Sequence, residues 1–260
     1  MTRIVDVEAL TEEEFGSLIC YPRRDPKEFR RRLHELTKLG IRRIKLGGPS
    51  RVFDYEVLGK GFVSIVVTAE LDDGRECALK IRRIDADRKN TSHEVQMLRK
   101  ANKLGIGPKL FKHSPNFVAM ELIQGEFINE WIKKLKGRGT KATVRKIVAT
   151  ILNQCFTLDS GGLDHGELSR ATRHFIISNS DRVQIIDFET ASDKRRASNV
   201  TAAGQYLLIG SAVARRIRRI LGITSTEHVI DALRGYKKEP TKDNLRKILC
   251  AANIVEGELA

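Results

Sequence analysis

The chain has 260 residues, enough for one large domain or two lobes with separate cores, and its 41% hydrophobic content excludes wholesale disorder. No apolar run approaches the ~20 residues that a helix needs to cross a bilayer, and Met1-Thr-Arg-Ile-Val-Asp-Val-Glu lacks the apolar stretch of a signal peptide, so a cytoplasmic protein with no membrane partner is expected. The net charge of +14 and the pI near 9.8 favour polyanionic partners such as RNA or ribonucleoprotein particles.

Residues 1–50 read as an N-terminal helical extension. Thr11-Glu-Glu-Glu14 and Asp25-Pro-Lys-Glu28 are capping-box patterns, the second with Pro in the first turn. Phe29, Leu33, Leu36 and Leu39 form one apolar stripe, which directs Arg30, Arg31 and Arg32 largely toward solvent. Gly40 ends that helix, and Ile41–Leu46 reads as a strand or short extension.

From Tyr55 the texture becomes β. Val63, Ile65, Val67 and Ala69 alternate along one strand, Asp72-Asp73-Gly74 turns the chain, and Cys77–Ile81 returns it. A helix is predicted over 91–103, followed by strands at Leu110-Phe111 and Phe117–Leu122. Val144, Ile147, Val148, Ile151, Leu152 and Cys155 mark a long buried helix face ending near Gly161-Gly162. The predicted architecture is α+β and bilobal: a small β-rich lobe with one helix over 51–123, then a helical lobe over 124–260. Cys20, Cys77, Cys155 and Cys250 are widely separated with no Cys-x-x-Cys pair, which argues against zinc and for a reducing compartment.

Several residues in this order could carry chemistry. Gly59 and Gly61 flank a turn between strands, where a missing Cβ lets backbone amides approach phosphate oxygens. Lys80 shares a strand face with the small Ala78, as the roof over a nucleotide requires. Glu94 falls on the buried stripe of Met97, Leu98 and Ala101; a carboxylate there needs a partner, and Lys80 is the expected one, although Thr91-x-x-Glu94 also fits a capping box. At the end of the β-rich part, in a two-lobe nucleotide enzyme, backbone groups of Glu121 and Ile123 would pair with the adenine edge and Met120 would limit the depth of the pocket.

The final motif is His165-Gly166-Glu167-Leu168-Ser169, then the strand Phe175–Ile177, then Val183–Ile186 ending on Asp187-Phe188. Together with the preceding residues, it resembles the protein-kinase-like superfamily, specifically the atypical RIO-like branch that includes archaeal predicted serine/threonine protein kinases. The resemblance covers roughly residues 55–210. It implies an ATP- and magnesium-dependent phosphotransferase acting on a protein hydroxyl. Lys80 would contact the α- and β-phosphates, Glu167 would orient the acceptor, and Asp187 would bind magnesium.

This chain departs from that pattern. Glu167 stands where Asp is usual, and Glu189 replaces the Gly after Asp-Phe. The metal-binding Asn is replaced by Thr172 at the usual count, or by His174 if the loop is two residues longer; His174 is favoured because it abuts the strand. Two other readings follow. One is a nucleotide-binding pseudokinase serving as an RNA- or ribosome-associated scaffold. The other is a small-molecule kinase of the aminoglycoside or sugar type, for which no acidic acceptor region is evident.

Overall fold

In the computed structural model, which describes residues 3–255, Thr11 and Asp25 open the first two helices. The Thr11 hydroxyl accepts the N–H of Glu14 before α1 (Glu12–Ile19), and the Asp25 carboxylate accepts those of Lys27 and Glu28 before α2 (Pro26–Lys38). The chain is mixed α+β with antiparallel sheets. It divides into two compact units, Met1–Gln96 with Pro108–Leu122, and Met97–Gly107 with Ile123–Ala260.

The first unit is built on a seven-stranded sheet. Its strands are β1 (Arg3–Asp6), β2 (Ile41–Leu46), β5 (Gly59–Lys60), β6 (Ser64–Leu71), β7 (Glu76–Arg82), β8 (Leu110–His113) and β9 (Phe117–Glu121). They run in the order β1-β2-β6-β7-β9-β8, with β5 paired to β6. A separate ribbon pairs β3 (Ser50–Val52) with β4 (Tyr55–Val57). Alternation along β6 and β7 buries Ile65, Val67, Ala69, Cys77, Leu79 and Ile81 in one core with Phe15, Leu18, Leu36, Ile44 and Phe117.

Residues 1–50 are therefore not set apart as a helical extension. They supply β1 and β2 to the sheet and α1 and α2 to the shared core. The strand β1 escaped the sequence pattern because it lies on the sheet edge, largely exposed, with no alternation to read. A second correction concerns Arg32, which is fully buried. Its guanidinium donates to Glu28 Oε1 at 2.8 Å, to the carbonyls of Ile19 and Arg82 at 2.7 and 2.6 Å, and to Asn116 Oδ1 at 3.0 Å. Glu28 thus serves Arg31 and Arg32 rather than closing a capping box.

α3 (Ser92–Lys103) begins in the first unit and ends in the second. The second unit is largely helical: α4 (Ile128–Lys134), α5 (Thr140–Ser160), α6 (Asn199–Gly204), a π-helical turn over Gln205–Ile209, α7 (Ala212–Leu221), α8 (Glu227–Lys238) and α9 (Lys242–Ala251). The predicted stripe of α5 is buried from Val144 to Leu158. A small sheet, β10 (Glu126–Phe127), β11 (Phe175–Ile177) and β12 (Val183–Ile185), lies in the same unit. Gly125 is required there, because a Cβ would meet the Ile177 carbonyl oxygen at 2.4 Å. Among the described residues, no helix is long and apolar enough to cross a membrane.

Candidate functional site

In the second unit, the β11–β12 hairpin brings together residues far apart in sequence. Phe175 pairs with Ile185, and Ile186 donates its N–H to the His174 carbonyl at 3.0 Å. His174 and Asp187 are thereby held at the same end of the ribbon. The loop carrying Glu167 approaches that end, and Glu167 Oε2 lies 2.9 Å from His174 Nε2. Glu167, His174 and Asp187 each offer a ligand atom within 4.8 Å of the others. Thr172 is elsewhere: it faces the Tyr206 hydroxyl and its N–H bonds the Arg170 carbonyl. Of the two alternatives for the Asn position, His174 is the one beside Asp187.

The loop is fixed from beneath. His165 is buried, its N–H bonded to Asn199 Oδ1 at 2.8 Å and its Nε2 lying 3.0 Å from the Ile186 carbonyl. Burial, reinforced by the neighbouring His174, lowers its pKa to about 4, so the ring is neutral at pH 7. It packs edge-on against His174 and tilted against Phe188, at ring separations of 5.2 and 5.1 Å. Asp164 pairs by backbone with Ser192, and its carboxylate accepts from Arg195 Nε at 2.9 Å. Asp159 caps α6 through the N–H groups of Asn199 and Val200. Sequence reasoning missed Asp159, Asp164, Arg195 and Asn199. The only signal was adjacency, since Asp164 precedes His165 in the sequence.

In the first unit, Lys80 on β7 is 5% exposed, with its Nζ 2.7 Å from Glu94 Oε1 at the start of α3. The Thr91 hydroxyl donates to the Ser114 carbonyl, and Asn90 Oδ1 accepts the Ser92 N–H. Ala78 shares the Lys80 face, as its alternation requires, and pairs with Met120 of β9.

Gly59 and Gly61 lie in a tight turn that leaves Phe62 97% exposed at its tip. Neither glycine is demanded by the fold: a Cβ would meet nothing nearer than 3.9 Å at Gly59 or 3.4 Å at Gly61. The Gly61 N–H is engaged by the Ser64 carbonyl, and the Glu121 N–H by that of Lys109, both at 2.8 Å. Ile123 follows β9 and opens the second segment of the second unit.

A protein relative bears on this chain. Over 121 residues it is 34% identical to the uncharacterized protein MJ1211 of Methanocaldococcus jannaschii, a match covering 46% of this chain and 99% of that protein. The chain belongs to the family of that archaeal protein. No protein-family model matches the chain.

The chemistry of the cluster suits a divalent cation. Two carboxylates and an imidazole converge, and a cation would relieve the proximity of like charges. Magnesium prefers oxygen donors, whereas first-row transition ions also accept an imidazole, so His174 shifts the donor set toward a divalent transition ion.

Proposed function

We propose that the protein is an ATP- and divalent-cation-dependent phosphotransferase with the bilobal protein-kinase-like fold, an atypical RIO-like serine/threonine kinase. The observation that carries this reading is the convergence of Glu167, His174 and Asp187 at one end of a strand hairpin. The buried Lys80–Glu94 ion pair supports it independently. In this reading, the β-sheet unit is the small lobe and the helical unit the large one.

Each residue has a distinct task. Lys80, oriented by Glu94, neutralises the α- and β-phosphates, and Asp187 with His174 holds the cation. A magnesium or manganese ion held there would supply charge neutralisation for the transferred phosphoryl group. Glu167 accepts a hydrogen bond from the acceptor hydroxyl and orients it. Its carboxylate is one methylene further from the backbone than the usual Asp and is bonded to His174. Misplacement by ~1 Å can cost ~100-fold in rate, so turnover is expected to be slow.

The test is incubation of the pure protein with γ-labelled ATP and magnesium or manganese, beside Glu167→Ala and Asp187→Ala. Label transfer that both substitutions abolish supports the kinase. ATP binding without transfer or hydrolysis would leave a nucleotide-binding scaffold as the function, and absence of ATP binding would overturn both.

A further inference from the structure

Away from the hairpin, the second unit contains a cavity of about 500 Å³ between the segment preceding α5 and the helix α7. Four cations line it, Lys136, Lys141, Arg216 and Arg219, and no carboxylate does. Leu135 and Ile220 supply its apolar wall.

Its charge is uncompensated in a way that neighbouring charge is not. Lys133 and Lys134, just upstream, are paired with Glu130 and Glu126. Lys136, Lys141 and Arg219 have no ion-pair partner among the described residues. Arg216 is anchored by the carbonyls of Lys133 and Leu135 at 3.2 and 3.3 Å, while its buried Nε has no hydrogen-bond partner.

The backbone adds to this field. Gly137 and Gly139 adopt φ of +85° and +88°, and the Thr140 hydroxyl donates to the Gly137 carbonyl at 2.9 Å. α5 then starts with no side-chain cap and no acidic residue in its first turn. Its first N–H groups therefore add positive potential to a cavity already lined by four cations.

We infer that this cavity binds phosphate, presented either by a small phosphorylated molecule or by the backbone of an RNA strand. The volume is in the range of small-ligand sites. Arginine and lysine are the side chains suited to phosphate, and glycines keep the approach to the backbone clear. The inference uses none of the residues assigned to the phosphotransfer site.

Binding of inorganic pyrophosphate to the full chain in metal-free buffer, followed by calorimetry, tests it, with a twelve-nucleotide single-stranded RNA as a second arm. Lys141→Ala/Arg219→Ala is expected to weaken binding at least tenfold. Lys27→Ala/Arg30→Ala, which removes equal charge from the exposed face of α2, and Lys80→Met are each expected to change it less than twofold. Saturable pyrophosphate binding identifies a small phosphorylated ligand, and binding of RNA alone identifies backbone phosphate. The inference is overturned if neither probe saturates or if the α2 control weakens binding equally. It is also overturned if Lys80→Met abolishes binding, which would move the site to the phosphate contact proposed for Lys80.

Discussion

Lys80 and Glu94 are the residues whose structural and functional roles can be separated most cleanly. Removing one partner of a buried ion pair leaves the other charged and desolvated, so Lys80→Met should lower unfolding free energy by roughly 3 kcal/mol. Lys80→Met/Glu94→Leu should recover most of that loss while leaving nucleotide binding absent. Urea midpoints beside nucleotide titrations check both outcomes. At the hairpin, His174→Asn replaces an imidazole by an oxygen donor. Its expected effect is a reversal of cation preference from manganese to magnesium, read from the metal-dependent rise in melting temperature. His165 adds a pH dependence. Its ordinary pKa of 6.5 falls to about 4 on folding, so between those values the unfolded chain takes up a proton that the folded chain refuses. Stability is complete above pH 6.5 and declines as the pH falls, by about 2 kcal/mol between pH 7 and 5. An undiminished slope in His165→Gln would show that another group is responsible.

At the scale of elements, α2 is held by polar as well as apolar contacts. Besides the bonds of Arg32, Glu35 accepts from the Ser114 hydroxyl and from Asn116, tying the helix to the β8–β9 turn. Arg32→Met keeps much of the side-chain volume but removes the side-chain donor from the Ile19 and Arg82 carbonyls and leaves the Glu28 carboxylate to Arg31 alone. A loss of roughly 3–5 kcal/mol is expected, with hydrogen-exchange protection falling first in α2 and β9. This network was illegible in the sequence because helical periodicity assigns an arginine to solvent without regard to acceptors on other elements. The central strands were legible for the opposite reason. Two buried strand faces write their alternation into β6 and β7, and a carboxylate on the apolar stripe of α3 has to find a cation. The hairpin was legible as well, since short apolar strands ending on Asp187 leave few other folds. The adjacency of His174, Glu167 and Asp187 was only half legible, because it depends on loop length and on Asp164 and Asn199 beneath.

At the scale of the molecule, the net charge of +14 has a structural correlate in the four cations of the cavity beside α5. If RNA phosphate occupies it, four contacts on a single strand give a salt slope near −3, so affinity should fall roughly 50-fold between 50 and 200 mM salt. Anisotropy titrations at the two salt concentrations measure that ratio, and a ratio near one would exclude phosphate contacts.

Asp187 adopts φ of +69°, a left-handed conformation that is costly for most residues with a side chain and that Asn and Asp visit most readily. Its carboxylate also lies near that of Glu167. The left-handed backbone costs folding free energy, and Asn, which follows glycine in suitability for it, should bear that conformation more cheaply than Asp. Asp187→Asn is accordingly expected to raise the melting temperature of the metal-free protein. The natural protein should overtake that variant once a cation is added, by about 2.7 kcal/mol at a hundredfold excess over its dissociation constant. A melting curve with and without manganese would therefore locate the site before any substrate is known.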